Sequence, residues 1–285
     1  MEKKEKQLRA LDALTAYGIS LILNVICSML LYRLIGIYAF YLGYVLVAAT
    51  VIVIAHITRL KSSAVFKFGS VGIRNTVASG LLLAGAILVS FPMILFIQII
   101  LPDFAAAGFN VMSLISESRL KYLHIVLLVL LSSVSECMLF DGYIYTRMAK
   151  TARIISVSAL IGLSYALFRH DLYVLVPLFV TEMAIVYVRN RTGNMTLPLV
   201  MHMIINTFII AFTDTAANTD TLFGAEMGFI NVVGMGMILI GAALPAAAMG
   251  MRLLGDLKGK SVFQKALLLV IAVVLIVSGY AVSRL

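Results

Sequence analysis

Charge is scarce in this sequence. Only 12% of its 285 residues are Asp, Glu, Lys or Arg, about half the share of a soluble globular domain. With 62% hydrophobic residues, the chain carries more apolar surface than a water-soluble core can hide, so lipid is the expected solvent for most of it. Cysteine is sparser still. Cys27 and Cys137 both lie in apolar runs without metal-like spacing, which excludes a disulfide framework or a zinc knuckle. The net charge of +9 does not imply nucleic acid, because the Lys and Arg residues sit between apolar runs, where they set membrane orientation. A cleavable leader is not expected: the basic residues 1–9 precede an apolar run of about 22 residues, longer than a signal-peptide core and without a small-x-small site. This run is expected to be retained as a first span. No Cys-a-a-X ending or Met-Gly start gives reason for a lipid anchor.

What is present is a series of apolar runs. Stretches of about 20 such residues predict spans over residues 12–32, 35–57, 77–101, 122–146, 154–169, 172–188, 195–213, 228–250 and 266–283. The fifth and sixth are short and close together, so the expected fold is an all-α polytopic bundle of eight to nine spans. With a cytoplasmic N-terminus, inner segments hold 17 of the 22 cations and outer segments 5, as the positive-inside rule requires. No internal repeat is evident, and the connections are too short for a separate domain, so residues 1–285 are expected to form one membrane domain. Between Lys61 and Arg74, cations alternate with Phe66, Phe68, Val71 and Ile73, which suits either a segment on the inner membrane surface or a plain basic loop.

Ionisable residues inside the spans need a reason, since each costs on the order of 3 kcal/mol near the bilayer centre. His56 and His124 fall near span ends, where snorkelling to water suffices. Glu136 and Asp141 fall well inside the fourth span. Five residues apart, they lie about 140° apart on an α-helix and are expected to meet different neighbours. Gly142 allows a bend or the close approach of another helix. In the seventh span His202 and Asn206 stand at i and i+4, two donors stacked on one face. Glu182 adds a carboxylate to the sixth span. His170 ends the fifth, and a hairpin turning near residues 150–153 brings it level with Glu136. Alignment with His202 then requires long fourth and fifth helices and a site in the inner half of the membrane.

These segments, Glu136 to Tyr143, Ala166 to His170 and His202 to Asn206, resemble the three motifs of the CPBP family of intramembrane proteases, the CAAX prenyl endopeptidase and bacteriocin-processing group. The family patterns are Glu-Glu-x-x-x-Arg, Phe-x-x-x-His and His-x-x-x-Asn or Asp. The lead-in Arg191-Thr192-Gly193-Asn194-Met195-Thr196-Leu197-Pro198 is similar too, and the resemblance covers residues 120–212 as a catalytic core. It implies hydrolysis of membrane-associated or lipidated peptides in a cell membrane, bacterial by this resemblance. Glu136 would be the base for water, His170 would hold that water, and His202 with Asn206 would stabilise the oxyanion. A metal-free site is the expected form, and a zinc ion on Glu136, His170 and His202 is the alternative. Membrane lipids and the peptide are the implied partners, with no nucleic acid. Three positions depart from the pattern: Cys137 replaces the second Glu, Asp141 the Arg, and Ala166 the Phe, while Glu182 replaces a usual Gly. The loss of the pair at 137 and 141 leaves open a catalytically impaired relative that binds or scaffolds a membrane partner. Arg169 or Arg189 is the candidate partner of Asp141. A transporter using the buried carboxylates is a third reading, without an inverted repeat to support it.

Overall fold

A backbone in hydrocarbon has no water to bond, so it must satisfy its own N–H and C=O groups, and helices do this within one segment. The computed structural model describes residues 2–100, 115, 118–149, 153–169, 174–216, 229–255 and 262–283, and among them it contains helices and no strand. Helix α1 is Glu2–Val25, prolonged by a π-helical turn Ile26–Leu31 and by Tyr32–Ile35. Then come α2 (Tyr38–Ile57), α3 (Ile73–Ile100) and α4 (Lys121–Glu136), which continues as a π-helical stretch Cys137–Ile144 and a last turn Tyr145–Met148. They are followed by α5 (Ile154–Phe168), α6 (Leu175–Thr192), α7 (Thr196–Ala216), α8 (Phe229–Leu253) and α9 (Val262–Val282). Each apolar run expected to span is therefore helical through most of its described residues.

Five of these are long and apolar enough to cross a membrane: Gln7–Ile35, Tyr38–Ile57, Ile73–Ile94, Lys121–Met148 and Ile230–Leu253. Large apolar side chains such as Leu34, Ile57, Ile73 and Tyr122 point outward from the bundle. In water such a surface would drive aggregation; in a bilayer it is the face that meets lipid. The fourth helix is long, as expected, at 28 residues with its π stretch, whereas the described fifth helix, Ile154–Phe168, has only 15.

Helices α4 to α7 are drawn together by small residues and by one sharp turn. A Cβ on Gly162 of α5 would lie 2.9 Å from the Phe179 carbonyl of α6, so only glycine permits this approach. Gly193 ends α6 in the left-handed conformation, φ 66°, its N–H donating to the Arg189 carbonyl at 3.0 Å. Asn194 Oδ1 then accepts from the Thr196 N–H at 2.7 Å, capping the start of α7. The basic segment after α2 is pinned to this turn: Met195 N–H donates to the Lys67 carbonyl at 2.8 Å, and Thr196 Oγ1 donates to that of Gly69 at 2.9 Å. Val65 is fully buried, and a Cβ on Gly142 would lie 3.3–3.4 Å from Met195, Phe66 and Val65. Gly142 therefore serves the close approach that its position suggested. Around it, Phe140 meets Tyr165 and Phe168 edge-on, with ring centroids 5.2 and 5.5 Å away.

Candidate active site

The fold brings the polar side chains of α4, α5, α6 and α7 into one buried chain of contacts. Glu136, at the end of α4, is fully buried. Its Oε1 accepts from Arg169 Nη1 at 2.7 Å, and its Oε2 accepts from Tyr165 Oη at 3.1 Å and from Asn206 Nδ2 at 3.0 Å. A charged donor and two neutral ones thus satisfy a carboxylate that would otherwise be very costly in an apolar interior. Asn206 is held in turn, its Oδ1 accepting from Arg169 Nη2 at 3.2 Å. Its Nδ2 also lies 3.0 Å from Ser132 Oγ and 3.1 Å from Ser133 Oγ. Two N–H groups therefore serve three acceptors.

His202 sits between this group and two further carboxylates. Its Nδ1 is 3.7 Å from Glu136 Oε2, beyond a hydrogen bond, and its Nε2 is 2.9 Å from Asp141 Oδ2 and 3.6 Å from Glu182 Oε2. Glu136 and Asp141 therefore meet the same histidine, which corrects the expectation that they face different neighbours. The reason is the π-helical stretch. Bonding i to i+5 widens the turn, so residues five apart come nearly onto one face, where an α-helix would separate them.

Arg169 also differs from expectation. One of the two candidate partners of Asp141, it pairs with Glu136 instead, and the other, Arg189, reaches Asp141 through the backbone, Nε donating to its carbonyl at 3.1 Å. The hairpin argument that placed residue 170 level with Glu136 carries Arg169 and, one turn earlier, Tyr165 to that level. His170 itself lies outside the described residues. Tyr165, Arg169, Ser132 and Ser133 were missed as site residues. The i, i+4 spacing of Tyr165 and Arg169 was the signal available for two of them. At the edges, His56 is exposed, as expected for snorkelling. His124 is instead buried, its Nδ1 2.5 Å from Tyr41 Oη, because α2 packs against α4 at that level.

Of the alternative zinc set, Glu136 Oε2 and His202 Nδ1 lie 3.7 Å apart, and His170 is outside the described residues. Glu136 is committed to Arg169, Tyr165 and Asn206, and the described residues whose ligand atoms do group together are Asp141, Glu182 and His202.

Residues 118–208, about a third of the chain, match the family model described as type II CAAX prenyl endopeptidase Rce1-like. This segment is Rce1-like. No curated protein and no solved structure matches the chain. The Rce1-like segment takes in α4, α5, α6 and most of α7, the helices that supply the buried polar chain, and it agrees with the resemblance carried by the three motifs. A CAAX-protease-like segment set among apolar membrane-crossing helices makes the chain an integral membrane protein. The departures within the Rce1-like segment are now placed in space. Cys137 is buried, its Sγ 3.9 Å from the Met195 carbonyl, while Asp141 and Glu182 converge on His202.

Proposed function

We propose that this protein is an intramembrane endopeptidase that hydrolyses peptide bonds of membrane-associated or lipidated peptides. Residues 120–212 form its catalytic core within a single membrane domain of eight to nine spans whose N-terminus is cytoplasmic. In the reaction a water oxygen attacks the scissile carbonyl carbon while Glu136 takes the water's proton. The oxyanion accepts hydrogen bonds from Asn206 and His202, and His170 holds the water. Collapse of the tetrahedral intermediate breaks the C–N bond, and the proton on Glu136 passes to the leaving amine. No step of this sequence requires a metal.

The observation that carries the reading is the meeting of Glu136, His202 and Asn206, from two helices, around one buried carboxylate, with contacts of 3.0 and 3.7 Å. Arg169 and Tyr165 bear a positioning role: Arg169 holds Oε1, so Oε2 is the oxygen that faces both Asn206 and His202. When substrate enters, an Asn206 N–H that now faces Ser132, Ser133 and Glu136 turns to the oxyanion. Removing one such donor costs about 3–4 kcal/mol of transition-state stabilisation. The purified protein in liposomes, presented with prenylated and unmodified membrane-associated peptides, is expected to release new termini detectable by mass spectrometry. Asn206→Ala is expected to slow release about 10²–10³-fold. Equal rates for Asn206→Ala, His202→Ala and the unaltered protein would defeat the mechanism.

A further inference from the structure

On the far side of the His202 ring from Glu136 lies a second group of ligating atoms that hydrolysis leaves unused. Asp141 from the π stretch, Glu182 from α6 and His202 from α7 are all fully buried, and one ligand atom of each lies within 4.8 Å of the others. His202 Nε2 is 2.9 Å from Asp141 Oδ2 and 3.6 Å from Glu182 Oε2. Ligands about 2.0–2.2 Å from a tetrahedral zinc stand roughly 3.3–3.6 Å apart, so small side-chain adjustments would seat all three on one ion.

The hydrogen bonding points the same way independently. A proton on Nε2 serves Asp141 Oδ2 alone. Asp141 Oδ1 and both oxygens of Glu182 are buried with no hydrogen-bond partner among the described residues. The nearby cations are engaged elsewhere, Arg169 on the Glu136 carboxylate and Arg189 on the Asp141 carbonyl. The Cys137 thiol faces the Met195 carbonyl. Buried carboxylates without donors are retained where they are paired or bind metal, and one divalent ion matches the charge of two carboxylates and a neutral imidazole. Both acids stand where the sequence departs from the family pattern, Asp141 in place of Arg and Glu182 in place of Gly.

We infer that Asp141, Glu182 and His202 bind one divalent ion of the zinc class, His202 through Nε2, with a fourth position for water. An ion there fixes the imidazole proton on Nδ1, the atom that has no hydrogen-bond partner and faces Glu136 Oε2 at 3.7 Å. The ion positions His202 and takes no part in the bond-breaking steps; its binding does not depend on the hydrolytic reading.

The test is metal content, which requires no activity. Detergent-purified protein is incubated with Zn²⁺, gel-filtered and assayed by mass spectrometry for the metal, and is expected to retain one zinc per chain. The isosteric variants Asp141→Asn and Glu182→Gln are expected to lose it, while Glu136→Gln keeps it. X-ray absorption of the unaltered protein is expected to show nitrogen and oxygen ligands at about 2.0–2.1 Å with one imidazole. The absorption result stands even if a variant fails to fold. No retained zinc, zinc undiminished in Glu182→Gln and Asp141→Asn, or a sulfur shell at about 2.3 Å would overturn the proposal. Zinc retained by a protein that cleaves no peptide would leave this site standing and remove only the hydrolytic reading.

Discussion

The two sides of the bundle adhere by different means. Among α4, α5 and α7, contacts between helices run through buried charge and amide groups, with Arg169, Glu136, Tyr165 and Asn206 linked at 2.7–3.2 Å. Where α8 packs against α3 and α9, glycine takes that place. A Cβ on Gly241 would lie 2.8 Å from the Ala272 carbonyl, one on Gly250 2.8 Å from that of Ala78, and one on Gly234 2.7 Å from that of Gly279. Lipid is as apolar as leucine, so helices in it gain little by hiding side chains from it. They cohere by close backbone approach or by hydrogen bonds. The first means shapes a scaffold. The second also concentrates reactive groups, and the network around Glu136 lies within the residues that match the Rce1-like family model.

Arg169→Leu should separate the two sides most sharply. It leaves Glu136 as a buried unpaired charge and is expected to lower stability by on the order of 3–5 kcal/mol in thermal unfolding in detergent. Adding Glu136→Leu to it should restore much of that loss, because no lone charge then remains. Additive losses would show that the ion pair does not bind these helices together. On the other side, Gly241→Leu is expected to cost about 1–3 kcal/mol by overpacking. Unlike Arg169→Leu, it should have no rescuing partner among charged residues. Gly193→Ala tests the turn between α6 and α7, where a Cβ in the left-handed region costs about 1–2 kcal/mol. Tyr41→Phe removes the hydroxyl that bonds His124 and should cost least, about 1 kcal/mol.

How far each feature could be read from sequence follows from which physical rule governs it. The helices were legible because the bilayer imposes length and apolarity, and Glu136, His202 and Asn206 because polar groups are costly there. Asp141 was noticed for the same reason, yet its direction was misjudged, since helical-wheel reasoning assumes 3.6 residues per turn and the π stretch breaks that assumption. Arg169 was counted among the outer cations because it follows the last apolar residue of α5. In the fold, the guanidinium turns back to Glu136 and leaves only 16% of its side-chain surface exposed. Glu182 was recognised as an intramembrane acid, but nothing in sequence pairs it with His202, twenty residues on in the next helix. That pairing depends on the tight turn at Gly193 and on how α6 meets α7.

The most direct test of the central claim is the initial rate of peptide cleavage by Glu136→Gln against the unaltered protein in the same liposomes, with equal unfolding temperatures as the check on folding. The substitution keeps the shape of the side chain and removes both its ability to take a proton from water and its charge beside Arg169, which is why folding is checked in the same protein. Cleavage by the unaltered protein and its loss in Glu136→Gln, by at least the 10²-fold that a general base typically contributes, is the expected result. Cleavage at an undiminished rate in a folded Glu136→Gln would contradict the account.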